Sequence, residues 1–95
     1  MQISDQGTLD IYDGDDTQAA RRRLPAELHD KAARLLDRIN AAHKPSDLAI
    51  PRGNRLEQLS GSRAGEWSIR INDQYRICFS WEDGQAVRVQ IEDYH

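Results

Sequence analysis

The second half of the chain alternates between apolar and polar residues, and this alternation limits the possible folds more than any other feature. Trp67, Ile69 and Ile71 are separated by Ser68 and Arg70. The same spacing recurs downstream in two further apolar sets, Ile77, Phe79 and Trp81, then Val87, Val89 and Ile91. Successive side chains of a strand point to opposite faces. The pattern therefore predicts several strands that share one apolar face and one polar face.

Four strands are predicted, over residues 56–59, 67–71, 75–81 and 86–91. Turn-forming residues separate them at 62–66, at 72–74 and at 82–84. The last of these contains Asp83-Gly84, a pair that strongly favours a two-residue hairpin turn. Short connections of this kind join antiparallel neighbours, so we expect an antiparallel sheet.

The first half of the chain has the periodicity of helices. Apolar side chains recur with helical spacing at Leu28, Ala32, Leu35, Leu36 and Ile39. This stripe predicts a helix over 25–42 that packs on one face. A proline is favoured at the first position of a helix, where its missing N–H group costs nothing, so the helix is expected to begin at residue 25.

Shorter elements are predicted before and after this helix. Residues 1–5 favour an edge strand, and residues 7–12 a helical turn that ends at Asp13-Gly14. A further helix should follow, capped by Asp15 or Asp16 and ending near residues 24–25. Residues 43–55 contain two prolines and a glycine and are expected to form a connecting loop.

Helices followed by strands are typical of an α+β domain. With 95 residues, the chain can build only one core, so residues 1–95 are expected to form a single domain. The apolar face of the sheet needs a cover, and the long helix provides one. We therefore predict a curved antiparallel sheet with the N-terminal helices packed on one face.

Composition excludes several classes of protein. Neither a membrane-spanning stretch nor a signal peptide is present, which predicts a cytoplasmic protein without membrane contact. Cys78 is the single cysteine and is expected to be a buried thiol, so neither a disulfide nor a thiolate metal site is expected. No cofactor or metal is predicted.

The net charge of -3 argues at first against nucleic-acid binding, but the charges are segregated along the chain. Residues 17–76 contain 12 Lys and Arg against seven Asp and Glu, whereas both flanking segments are acidic. A basic face is therefore possible. A solvated surface of mixed charge is the alternative, and composition does not separate the two.

The polar face of the predicted sheet collects three arginines. Arg70, Arg76 and Arg88 lie on three neighbouring strands and could together bind phosphate. They could instead pair across strands with Glu57 or Glu92. Arg76 is expected at the surface on either interpretation, where its substitution has little effect on folding.

The chain ends in Asp93-Tyr94-His95, directly after the last predicted strand. RNA can be cleaved without a metal when one group takes the proton of a 2′-OH and another protonates the leaving 5′-oxygen. An imidazole is suited to either step near neutral pH. Together with Arg76 as a phosphate ligand, these three residues form a candidate catalytic group.

A resemblance to a known family supports this hypothesis. The residues that show this resemblance are Asn54-Arg55-Leu56, Gly61, Arg63, Gly65, residues 67–72, Tyr75-Arg76-Ile77 and the terminal residues 89–95. In order and spacing they resemble the HigB branch of the RelE-like toxins of type II toxin-antitoxin systems. The resemblance covers nearly the whole chain.

The resemblance implies a RelE-like fold and a ribosome-dependent endonuclease that cleaves translated mRNA in the ribosomal A site. It also implies a HigA-like helix-turn-helix antitoxin as partner, with operator DNA contacted only through the toxin-antitoxin complex. Arg76, Asp93, Tyr94 and His95 match the family's catalytic positions. Arg63, Arg70 and Arg88 are the remaining candidates for binding the RNA phosphates.

Three positions depart from the family pattern. Ser60 stands where lysine is common, Ser62 where aspartate is common, and Glu57 where some active members have histidine. Losing a cation at position 60 is expected to weaken transition-state binding. Two alternatives therefore remain: a catalytically weakened toxin that acts mainly as antitoxin partner or co-repressor, and a ParE-like inhibitor of DNA gyrase, since the fold alone does not define the activity.

Overall fold

The computed structural model describes residues 1–94. Its regular elements are α1 (Gln6–Asp13), α2 (Gln18–Arg23), α3 (His29–Ala41), β1 (Glu57–Gln58), β2 (Glu66–Arg70), β3 (Tyr75–Glu82) and β4 (Gln85–Asp93). The four strands form one antiparallel sheet in the order β1-β2-β3-β4. The predicted α+β class and the order of helices and strands are confirmed.

Helix α2 is capped by a different residue from those predicted. The Thr17 hydroxyl accepts a hydrogen bond from the Ala20 amide at 3.1 Å and donates one to Asp10 at 2.6 Å. A side-chain oxygen that binds a first-turn amide is the defining contact of a helix N-cap. The prediction of Asp15 or Asp16 as the cap was therefore wrong.

Helix α3 is shorter than predicted. Pro25 has extended dihedrals, and the single 3-10 turn Ala26–Leu28 separates it from α3, which begins at His29. The predicted apolar stripe is otherwise present, because Ala32, Leu35, Leu36 and Ile39 are all buried. The connecting loop after α3 contains two further 3-10 turns, Pro45–Ala49 and Arg52–Asn54.

The turn between β3 and β4 is the predicted two-residue hairpin. Glu82 pairs with Gln85, and the intervening Asp83 and Gly84 have φ values of 52° and 78°. Positive φ at both central positions suits the right-handed twist of the strands and explains the Asp-Gly sequence.

A β-bulge interrupts the same hairpin. Cys78 pairs with Gln90, but Ser80 pairs with Val87, so β4 contains one residue more than β3 in this interval. Arg88 lies in the bulge with a φ of 52°. An extra residue of this kind reverses the alternation of side chains along a strand.

The bulge changes which residues of β4 reach the core. Val87 was expected beside Val89 and Ile91 on the apolar face. It lies opposite Ser80 instead, buried outside the main hydrophobic cluster of residues 1–94, and Ala86 joins that cluster in its place. The predicted face of Val87 was therefore wrong, because the bulge shifts the register.

The N-terminal segment lies along the outer edge of β4. Ile3 and Val89 form an isolated parallel bridge, and the Gln2 amide donates to the Ala86 carbonyl at 2.9 Å. The predicted edge strand at residues 1–5 is thus reduced to a single bridge. These contacts cover backbone groups of β4 that would otherwise form an open sheet edge.

The core lies between the helices and one face of the sheet. It contains apolar side chains from all three helices and from β2, β3 and β4. Its largest fully buried members include Ile11, Leu24, Leu36, Ile69 and Phe79. Within residues 1–94, no helix is long and apolar enough to cross a membrane.

Candidate active site

A depression of about 350 Å³ opens on the polar side of the sheet. It is lined by Arg55, Glu57, Arg70, Asn72, Asp73, Arg76 and Tyr94. The loop before β1, the ends of β2 and β3 and the residue after β4 supply these side chains. Three arginines therefore converge on one concavity, as phosphate binding requires.

Arg76 is held rigidly at the base of this depression. Its Nε donates to the Ser68 hydroxyl at 2.8 Å, and its Nη2 donates to the carbonyl oxygens of Arg55 at 2.6 Å and of Ser68 at 3.3 Å. Only 8% of the residue is exposed. The expectation that Arg76 is a surface residue with little effect on folding is therefore wrong, because burial makes these hydrogen bonds part of the folded structure.

Tyr94 covers the Arg76 guanidinium. The guanidinium carbon lies 5.8 Å from the centroid of the Tyr94 ring, within range of a cation–π interaction. The backbone amide of Tyr94 donates to the Gln74 carbonyl at 2.6 Å, which fixes the residue after β4. Asp93 accepts a hydrogen bond from Gln74 Nε2 at 3.1 Å. Tyr94 is thus placed beside Arg76, whereas Asp93 is the cross-strand partner of Tyr75 and does not line the depression. His95 lies outside the described residues.

The predicted group of sheet arginines is only partly assembled. Arg70 is the direct cross-strand partner of Arg76, and its guanidinium forms an ion pair with the exposed Asp73. Arg88 lies in the β-bulge, pairs with Glu82 at 3.1 Å and lines a separate depression. The structure therefore brings Arg70 and Arg76 together and leaves Arg88 apart from them.

Within residues 1–94, neither Glu57 nor Glu92 forms an ion pair with Arg70, Arg76 or Arg88. Glu92 binds Arg63 instead. The alternative of cross-strand pairing was thus right in kind for Arg88, which pairs with Glu82 and not with the carboxylates named. It was wrong for Arg70, whose partner Asp73 lies in the turn directly after β2.

Arg63 is neutralised by two carboxylates. Its guanidinium pairs with Glu66 at 2.8 Å and with Glu92 at 2.6 Å. The hydrogen bonds from Arg63 lower the pKa of both carboxyl groups, and Glu66 followed by Glu92 raises the pKa of Arg63. Arg63 therefore joins the turn before β2 to β4, and its charge is already compensated.

Cys78 lies next to this network and is buried, as predicted. Burial raises the pKa of its thiol to about 12, so the group is neutral at physiological pH. A neutral, inaccessible thiol is a poor nucleophile.

Two residues of the depression were not among the predicted site residues. Arg55 and Glu57 are both exposed, and neither side chain has a hydrogen-bond or ion-pair partner within residues 1–94. Arg55 adopts a left-handed conformation with a φ of 46°. Strand alternation does not reach Arg55 because of this conformation, so no signal in the sequence placed it near Glu57 and the sheet arginines.

The remaining family departures lie outside the depression. Ser60 and Ser62 are exposed residues at the start and within the 3-10 turn Gly61–Arg63, and neither lines the depression. No group of three or more His, Cys, Asp or Glu side chains in the described part of the chain is arranged to bind a metal ion.

Comparison with known proteins adds to this geometry. Residues 2–95 match the model of the HigB-like toxin family, which is described as the RelE-like toxin of the type II toxin-antitoxin system HigB. The chain belongs to the HigB-like toxin family.

Individual relatives agree with this membership. The chain is 35% identical over 94 residues to Toxin HigB-1 of Vibrio cholerae, which covers 99% of the chain and 96% of that toxin. It is 36% identical over 69 residues to Endoribonuclease HigB of Proteus vulgaris, covering 66% of the chain and 75% of that protein.

Solved structures confirm the RelE-like fold. YafQ from E. coli strain BL21(DE3) superposes with a TM-score of 0.58 at 16% identity. The match covers 97% of this chain and 89% of the YafQ chain. The YoeB-YefM complex from Staphylococcus aureus gives a TM-score of 0.58 at 20% identity and covers 99% of this chain and 93% of the matched one. At these identities the likeness concerns the fold alone.

Proposed function

We propose that this HigB-family chain is an endoribonuclease that cleaves mRNA on the translating ribosome without a metal ion. The observation that supports the proposal is the depression around Arg76, which three arginines, two carboxylates and an exposed tyrosine ring line together. The relative named Endoribonuclease HigB supports the same reaction class. A HigA-like antitoxin neutralises the toxin in the cytoplasm, and operator DNA is contacted through their complex.

In the proposed reaction, the 2′-hydroxyl of the RNA attacks the adjacent phosphorus. A base takes the 2′-OH proton while the O2′–P bond forms, and the P–O5′ bond then breaks. The 5′-oxygen leaves with a proton from an acid, so the products are a 2′,3′-cyclic phosphate and a 5′-hydroxyl. Charge accumulates on the phosphate oxygens and must be stabilised.

Arg76 is assigned to the phosphate in the transition state. Its hydrogen bonds to Ser68 and Arg55 use Nε and Nη2, and Nη1 has no hydrogen-bond partner within residues 1–94. A guanidinium fixed in this way provides preorganised charge, which is more effective than a mobile one. Arg70 and the Arg55 side chain supply further positive charge at the same depression.

The proton transfers are assigned to Glu57 and to the C-terminal residues. Glu57 is exposed within the depression and can accept the 2′-OH proton. His95 is assigned as the acid for the 5′-oxygen, and Asp93 as its orienting group. Tyr94 offers an exposed ring on which a base can stack.

Induced expression of the chain, with and without Arg76→Ala, tests the proposal. We expect growth arrest and primer-extension stops within coding sequences, both lost in the variant provided that it remains folded by circular dichroism. Supercoiling defects with intact mRNA would instead support gyrase inhibition. Intact mRNA and normal growth would support the weakened toxin that acts through its antitoxin.

A further inference from the structure

A second concave surface lies beside the candidate active site. This groove, called the α3 groove below, lies between helix α3 and the 3-10 turn Arg52–Asn54. It has a volume of about 370 Å³. Its lining residues are Lys31, Arg34, Leu35, Arg38, Pro51, Gly53, Asn54 and Arg70. Four of these side chains are cations and none is a carboxylate.

The three cations of α3 are not engaged elsewhere. Lys31, Arg34 and Arg38 are exposed, and none has a hydrogen bond or an ion pair within residues 1–94. Their spacing of three and four residues places them on one side of the helix. The acidic residues of the same helix, Asp30 and Asp37, lie four residues before and three residues after Arg34 and so flank it. Neither lines the groove, and within residues 1–94 neither forms an ion pair with a cation of α3.

The opposite wall of the groove is held in place by a buried hydrogen bond. Asn54 is buried, and its Nδ2 donates to the Leu48 carbonyl at 3.2 Å, which holds the turn Arg52–Asn54 against the loop. Leu35 from α3 contributes to the groove lining. The cations therefore stand beside a fixed concavity.

Arg70 connects this groove with the candidate active site. The same side chain lines the α3 groove and the depression around Arg76. Its only ion pair in the described residues is with Asp73, whose side chain is 96% exposed. Exposed ion pairs are weak because water screens them, so the phosphate of a bound strand can replace this carboxylate.

We propose that the α3 groove binds the sugar-phosphate backbone of the RNA strand that is cut, beyond the scissile phosphate. This rests on the endoribonuclease function proposed above. Lys31 and Arg38 are seven helical residues and thus about 10 Å apart, a distance that spans about three phosphates of a stacked strand. The groove binds backbone charge and therefore adds affinity without selecting a base sequence.

Fluorescence anisotropy with two probes tests the proposal. The probes are fluorescein-labelled single-stranded RNAs of about 12 and three nucleotides, with 2′-O-methyl groups that prevent cleavage. The variant combines Lys31→Gln, Arg34→Gln and Arg38→Gln. The control combines Arg21→Gln, Arg22→Gln and Lys44→Gln, which removes the same charge from exposed positions outside the groove.

The wild-type chain and the control should bind the long probe at least tenfold more tightly than the short one. The groove variant should lose this advantage. For the groove variant, the slope of log affinity against log salt concentration should be smaller in magnitude by about 2. Each phosphate contact on a single strand contributes about 0.7 to this slope, and the variant removes three cations. Equal losses in variant and control, or an unchanged slope, would overturn the proposal. A second result would also overturn it: the groove variant no longer binds a labelled poly-glutamate peptide but still binds RNA normally. That result would assign the groove to an acidic protein segment.

The cleavage assay on translating ribosomes keeps this proposal separate from the proposed function. A wild-type chain that leaves mRNA intact contradicts the nuclease, whatever the probes show. A wild-type chain that cuts mRNA, with a groove variant that binds the long probe normally, contradicts the groove alone.

Discussion

Arg76 and Ser68 lie on neighbouring strands and form a buried hydrogen bond, in which Arg76 Nε donates to the Ser68 hydroxyl at 2.8 Å. This contact orients the guanidinium toward the depression and also satisfies a buried charge. A residue assigned to phosphate binding thus contributes to folding. The two roles can be separated by changing the acceptor and leaving the arginine in place.

Ser68→Ala should lower both stability and cleavage. Removing the hydroxyl leaves a buried donor unsatisfied, at a cost of about 1–3 kcal/mol. Ser80→Ala is the matched control, because Ser80 is also buried on the same face and its side chain has no hydrogen bond in the described residues. Urea denaturation and cleavage of programmed ribosomes should separate the two variants. Equal behaviour would mean that Ser68 does not position Arg76.

Glu57→Gln should reduce cleavage by roughly 100-fold or more while leaving stability unchanged. Loss of a general base costs about 10²–10⁴ in rate, whereas an exposed side chain without a partner contributes within about 0.5 kcal/mol. Single-turnover cleavage and thermal melting measure the two effects. Glu57→His should restore part of the rate, and Gln58→Ala, its exposed neighbour, should be neutral. Full activity of Glu57→Gln would assign the base to another residue.

Arg63→Gln should make stability less dependent on pH. Arg63 lowers the pKa of Glu66 and Glu92 in the folded chain below the ordinary value of 4.5. Depressed carboxyl pKa values stabilise the fold above the unfolded pKa, and this contribution disappears as the pH falls through the folded pKa. The difference between wild type and variant should therefore be about 1–2 kcal/mol at pH 7 and shrink between pH 5 and pH 3.

Urea unfolding at pH 7, 5 and 3.5 measures this difference. Arg21→Gln serves as control, because Arg21 and Asp16 form an ion pair whose side chains are 62% and 55% exposed. Its effect should be small at every pH. A difference for Arg63→Gln that stays constant down to pH 3 would show that the ion pairs do not account for its stabilisation.

Ser60→Lys should increase cleavage on programmed ribosomes by roughly tenfold. Ser60 itself lies outside the depression, but the long lysine side chain is expected to extend toward it, and one added cation there is worth about 1.4 kcal/mol. Ser62→Lys adds the same charge to the same exposed turn and is the control. An unchanged rate for Ser60→Lys would indicate that Arg55, which lines the depression, already provides this charge.

The elements of this fold follow from local sequence. The spacing of Leu35, Leu36 and Ile39 predicted the buried face of α3, and the alternation around Ile69 and Ile77 predicted the sheet face that α3 covers. Asp83-Gly84 predicted its hairpin because both residues tolerate positive φ. These features depend on residues close together in the chain, so local sequence patterns were enough to predict the α+β class.

The register of β4 and the partners of the arginines depend on contacts between distant parts of the chain. The β-bulge moved Val87 off the apolar face, because the register of β3 against β4 is set by packing and not by alternation. Burial of Arg76 depends on the Arg55 carbonyl, 21 residues away, and the charge of Arg63 is cancelled by Glu92, 29 residues away. Periodicity places a side chain on a face but carries no information on which distant group meets it there. The partners of the arginines, and with them the shape of the candidate site, therefore depend on how the strands and loops pack together.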